Sequence, residues 1–290
     1  MHKGKIFSNL INPQTIFADS NKISEGFYFT DDKIEKDLNS FRFRSDEFTN
    51  THRGKHILFA GCSETFGCGD ELDKTWSHML YTRISKNVNT SGYYSIGLPG
   101  GGFQDIINST LEYIKKYSPE EIFILFPNIE RFIGFVDGRY IPRIRKSDSA
   151  WSFNEGWLED VLKIKISFGF RKYKKFDERD NYELFAHFIL QLKLLEEVCK
   201  LKNIKLFYST WAQGDFRRGY LDLDKNIRDY INTNPGELDR YFTVSFNDSN
   251  DIKKERENTG LQYRKSDGHY GELFHQKWSD GFYKEYIKSC

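Results

Sequence analysis

The chain has 290 residues, with 43 Lys and Arg against 42 Asp and Glu and a formal net charge of +1. That length can bury one large core or two modest ones, and the balanced charge removes the global electrostatic argument for nucleic acid or an anionic membrane. Aromatic residues make up 17% of the chain and hydrophobic residues 38%. This argues against disorder and predicts a core filled by Phe and Tyr rather than Leu and Val.

The four cysteines, Cys62, Cys68, Cys199 and Cys290, fit neither a zinc site nor a dense disulfide framework. They read as reduced thiols in a reducing compartment. The N-terminus starts basic, but Ser8, Asn9, Asn12 and Pro13 interrupt the apolar run that follows, so it does not read as a signal h-region. No apolar stretch approaches the ~20 residues that span a bilayer. The cytoplasm is therefore the expected location.

Residues 1–55 are polar and irregular, with aromatic clusters such as Phe27, Tyr28 and Phe29, and read as an N-terminal arm laid over the domain. The rest, residues 56–290, reads as one α/β domain. Residues 56–60 form a short apolar run ending at Gly61, which predicts a buried strand. Trp76, Met79, Leu80 and Ile84 then recur at helical spacing. Residues 93–96 predict a second strand, closed by a glycine-rich run from Gly97 to Gly102. Ile106, Ile107, Leu111 and Ile114 give the next helix face, and residues 121–126 the clearest buried strand, stopped at Pro127.

Residues 130–180 lose this regularity and read as an insertion that wraps the domain or forms a lid. A long amphipathic helix is predicted from Asn181 to about residue 202, a strand over 205–211, a short strand at 241–244 and a last helix over about 272–287. Strands alternating with helices predict a parallel sheet covered on both faces. Ligands of such sheets bind beyond the carboxyl ends of the strands, so the informative places begin at Gly61, Gly97 and Pro127.

The first strand exit reads Gly61-Cys62-Ser63-Glu64-Thr65-Phe66-Gly67-Cys68-Gly69. A serine between strand and helix can project its hydroxyl at the top of the sheet, where backbone N–H groups meet a developing oxyanion. Gly61 is expected to permit the tight turn. The purely structural reading is a serine N-cap. A phosphate-binding P-loop is excluded, because Gly67 is followed by Cys68 and no lysine appears before Lys74. A Rossmann glycine fingerprint is absent as well.

Residues 57–69 resemble the first block of the SGNH (GDSL-type) hydrolases, in the variant where Gly-Asp-Ser becomes Gly-Cys-Ser. The resemblance runs in order from about residue 56 to 288. It implies a flavodoxin-like three-layer α/β/α sandwich with a central parallel sheet, and ester hydrolysis with Ser63 as nucleophile. The second block resembles the run from Ser95 to Gly102 and implies that the Gly100 N–H joins the Ser63 N–H in the oxyanion hole. The third block's asparagine falls on Asn128, without that block's glycine and aspartate; Arg131 is a further polar residue at this rim. The fourth block, Asp-x-x-His, meets Asp267-Gly268-His269, one residue short. In strict register Ser266 would take the aspartate's place, but a carboxylate stabilises an imidazolium where a serine does so poorly. The resemblance thus implies a Ser63, His269, Asp267 triad, with His275 on the last helix as a packing or capping residue.

The expected reaction is two-step acyl transfer without metal or cofactor, on a small-molecule or carbohydrate ester such as a sugar O-acetyl group. Two other readings stand beside it. One is an acyltransferase using the same serine; the other is a catalytically silent SGNH-fold binding or structural module.

Overall fold

The structure is a computed structural model that describes residues 36–68, 70–99, 101–127, 131–136, 139–144, 181–211 and 270–290. Its centre is a four-stranded, all-parallel sheet. In chain order the strands are β1 (Ile57–Cys62), β2 (Tyr94–Leu98), β3 (Glu121–Phe126) and, after a separate hairpin, β6 (Lys205–Thr210). Their order across the sheet is β2-β1-β3-β6. This places the chain reversal between β1 and its two neighbours, as in doubly wound sheets of the flavodoxin type.

Side-chain alternation explains why helices cover both faces. On β1, Leu58, Ala60 and Cys62 turn to one face and Ile57 and Phe59 to the other; all are buried. The first face packs against α3 (Phe103–Tyr117) and α4 (Asn181–Leu201) through Ile106, Ile107, Ile114, Phe188, Leu192 and Leu195. The second packs against α2 (Trp76–Ser85) and α5 (Glu272–Ser289) through Trp76, Leu80, Phe274, Trp278 and Phe282. The result is the three-layer α/β/α architecture.

The aromatic composition has a structural counterpart on the second face. Phe59, Phe123 and Phe207 are cross-strand partners in register, and their rings stack at centroid distances of 5.6 and 4.6 Å. Tyr93 extends the row, 5.6 Å from Phe59. Each such pair adds about 0.5–1.5 kcal/mol beyond the area it buries.

Two boundaries differ from the sequence expectation. Strand β1 runs through Gly61 to Cys62, and β2 runs through Gly97 to Leu98. Both glycines thus sit inside strands. Residues 130–180 were expected to be irregular, yet β4 (Arg131–Val136) and β5 (Arg139–Ile144) form an antiparallel pair. The Asp137-Gly138 dipeptide between them is a hairpin signal that outweighs the surrounding charges. The expected strand at 241–244 lies outside the described residues.

Residues 36–55 lie along the edge strand β2. Asp46 N–H donates to Tyr93 O at 2.9 Å, Tyr93 N–H donates to Asp46 Oδ2 at 2.8 Å and Ser95 N–H donates to Ser45 Oγ at 3.1 Å. Phe48 packs among Tyr94, Tyr113 and Tyr117. These bonds occupy groups that an open sheet edge would present to another chain. Among the described residues no helix is long and apolar enough to cross a membrane. All four cysteines are free, with only Cys290 exposed.

Candidate functional site

The register brings the strand exits level. Gly61 lies opposite Gly97 on one side and Leu125 on the other, and Leu125 lies opposite Ser209. Ser63 follows β1 directly, as the first residue of α1 (Ser63–Phe66), and is 4% exposed. The N-cap is Cys62, and no side chain caps this helix start. The structure therefore corrects the serine N-cap reading: Ser63 sits one residue inside the helix. Among the described residues no hydrogen bond engages its Oγ.

Glycines set how closely α1 can approach the sheet. A Cβ on Gly97 would lie 2.4 Å from Phe66 N and 2.6 Å from Phe66 Cα, so α1 rests directly on β2. A Cβ on Gly61 would lie 2.0 Å from Thr65 Oγ1 and 2.7 Å from Leu125 O. Gly61 thus serves close packing rather than a turn. The left-handed residue is Gly67, with φ +70°, which ends α1. Gly67 N–H and Cys68 N–H both donate to Ser63 O, at 2.9 and 3.1 Å.

Thr65, 1% exposed, accepts a hydrogen bond from Trp76 Nε1 at 3.2 Å. The backbone N–H of Trp76, at the start of α2, donates to His275 Nδ1 at 3.1 Å. His275 on α5 therefore satisfies one of the donors a helix start leaves open. This is the capping role expected of it. With Nδ1 accepting, the ring proton lies on Nε2. Nε2 faces Asp70 Oδ2 at 3.3 Å and Glu64 Oε2 at 3.8 Å. Both ring nitrogens are thus turned to groups other than Ser63. Sequence reasoning missed Glu64 and Asp70 as partners of His275, because no local spacing links the strand exit to the last helix.

The other described histidines lie elsewhere. The rings of His52 and His56 meet at a tilt near the amino end of β1, with centroids 3.7 Å apart. His78 packs beside Tyr81 and Tyr93, and His187 is exposed on α4. Of the remaining expected site residues, Gly100, Asn128, Asp267 and His269 lie outside the described residues. Residue 98 ends β2, residue 126 ends β3 and residue 272 begins α5. The described residues contain no group of three or more His, Cys, Asp or Glu side chains able to hold a metal.

No protein-family model and no curated protein matches the chain. Solved structures resemble it, and three of them each have a TM-score of 0.40. A protein assigned to the G-D-S-L lipolytic family from Desulfitobacterium hafniense DCB-2 is 13% identical, over 80% of this chain and 98% of that one. The acetyl xylan esterase AlAXEase is 10% identical, over 79% of this chain and 98% of that one. A protein assigned as an acylhydrolase from Bacteroides fragilis NCTC 9343 is 13% identical, over 81% of this chain and 88% of that one.

Proposed function

We propose that the chain is a serine esterase of the SGNH type. The observation that carries this is the position of Ser63. It stands at the carboxyl end of β1, where the strand order reverses, in the first turn of a helix it does not cap. Ligands of doubly wound sheets gather at this place.

In this reading His269 takes the Ser63 proton as Oγ attacks an ester carbonyl, and Asp267 orients the imidazole and stabilises its charge. The Ser63 N–H, the Gly100 N–H and the Asn128 side chain bind the oxyanion. Loss of one such donor raises the barrier by about 2.7–4 kcal/mol. The alcohol departs with the proton from His269, and water activated by the same ring releases the acid. Among the described residues no histidine hydrogen-bonds to Ser63; His275 Nδ1 accepts from Trp76 N–H, and its Nε2 lies nearest the Asp70 carboxylate. This supports a base drawn from the block before α5. The balanced charge suits a neutral ester, an O-acetylated carbohydrate among them, and the cysteine spacing supports the cytoplasm.

Hydrolysis of p-nitrophenyl acetate by the wild type, Ser63→Ala and His269→Asn tests the assignment. Turnover lost in both variants is the expected result. Equal turnover by the wild type and Ser63→Ala overturns it, and an acyl group passed to a sugar hydroxyl in preference to water makes the enzyme a transferase.

A further inference from the structure

The turn that closes α1 is held from outside the α/β core. Phe41 N–H and Phe43 N–H both donate to Asn39 Oδ1 at 3.0 Å, and Asn39 N–H donates to Phe43 O at 2.8 Å. This tight local fold turns Phe43 and Arg44 inward, each 2% exposed. Arg44 Nη1 then donates to Gly67 O and Asp70 O, both at 2.8 Å, and to Phe66 O at 3.3 Å. Its Nη2 pairs with Asp37 Oδ2 at 2.9 Å.

Carbonyls at the end of a helix have no intrahelical partner. Nη1 reaches all three carbonyls, its two hydrogens shared among them, while the rigid guanidinium plane holds Nη2 on Asp37 at the same time. A lysine offers one point charge on a flexible stem and cannot hold the same set in fixed geometry. Asp37 balances the buried charge, which would otherwise be costly. The chain of contacts to the nucleophile is short: Arg44 grips Gly67 O, and Gly67 N–H donates to Ser63 O. On the other side of the same loop, His275 faces the Asp70 carboxylate.

We propose that Arg44 is a positioning residue for Ser63, so that the segment before β1 is a working part of the active site. This rests on the reading of Ser63 as nucleophile. Arg44 touches no substrate; it fixes the loop from Phe66 to Asp70 and thereby the direction in which Ser63 presents Oγ.

The test uses the full chain with Arg44→Lys. It compares thermal midpoints, p-nitrophenyl acetate kinetics and the rate at which a fluorophosphonate probe labels Ser63. At a retained fold, kcat and the labelling rate are expected to fall about 10- to 100-fold, as for a displaced reactive group, with KM little changed. Wild-type kcat and labelling in folded Arg44→Lys overturn the proposal. If Arg44→Lys does not fold, Asp37→Asn takes its place. It leaves the three carbonyls with Arg44 but removes the carboxylate that orients it; a several-fold fall in kcat supports the role and wild-type kinetics overturn it. A wild type whose labelling does not depend on Ser63 overturns the esterase reading and this role with it, an outcome distinct from equal labelling of wild type and Arg44→Lys.

Discussion

The two ends of the central sheet use buried polar groups in opposite ways. At the amino end, His56 is 1% exposed, its Nε2 lies 2.8 Å from the Tyr113 hydroxyl and its ring packs at a tilt against His52. Burial, reinforced by the neighbouring imidazole, pushes its pKa down to about 3. Such a ring stays neutral near pH 7 and acts as packing material with one hydrogen bond. At the carboxyl end, Arg44, His275 and Trp76 converge on the short helix that carries Ser63 and on the turn that follows it. A buried histidine alone therefore says little; its partners decide whether it belongs to a scaffold or to a site.

Substitutions at the two ends should separate activity from stability. The largest effect is expected from Ser63→Ala, which should lower kcat/KM for p-nitrophenyl acetate by about 10⁴-fold or more while leaving the urea midpoint unchanged. Gly97→Ala should affect both properties. Its Cβ would meet Phe66 N at 2.4 Å, and the overpacking should cost about 1–3 kcal/mol in urea unfolding together with esterase activity, because α1 must shift.

At the opposite end, Tyr113→Phe removes the hydroxyl that meets His56 Nε2. Urea unfolding should show a loss of about 1–2 kcal/mol with kcat unaltered; a lower kcat would mean the ends are coupled. The smallest effect concerns pH. Since His56 titrates near 3 when folded and near 6.5 when unfolded, the unfolded chain binds the extra proton between those values. Its contribution to stability is complete above about pH 6.5 and declines as pH falls toward 3. Between pH 7 and pH 6 the difference amounts to about 0.7 kcal/mol. It is measurable as the part of the pH slope that His56→Gln abolishes.

The architecture was legible because both faces of the sheet are covered. The run over residues 122–126 is apolar without a break, and β3 covers it together with Glu121. The place of Ser63 at the first strand exit was legible because an apolar run, a small polar residue and a glycine follow one another closely. The partners of that turn were not. Arg44 sits in a polar segment with no periodicity, and its grip on Gly67 depends on a fold of the chain around Asn39 that hydrophobic patterning does not encode. His275 and Trp76 are 199 positions apart. The glycines misled in a different way. Gly61 looked like a turn residue, whereas what the chain needs there is space for Thr65 and the Leu125 carbonyl.

The hydrogen bond from Trp76 to His275 has a consequence for the order of events during synthesis. Strands β1 to β3 and helices α2 and α3 leave the ribosome well before α5 exists. Until then α2 lacks its distant cap, and Trp76 lacks Phe282, whose ring stacks on it at 4.9 Å. The turn after α1 meets His275, through Asp70, only when residue 275 arrives. A nascent chain is thus expected to carry a formed sheet well before it carries a competent serine, and assembly of the site becomes a late, nonlocal step of folding.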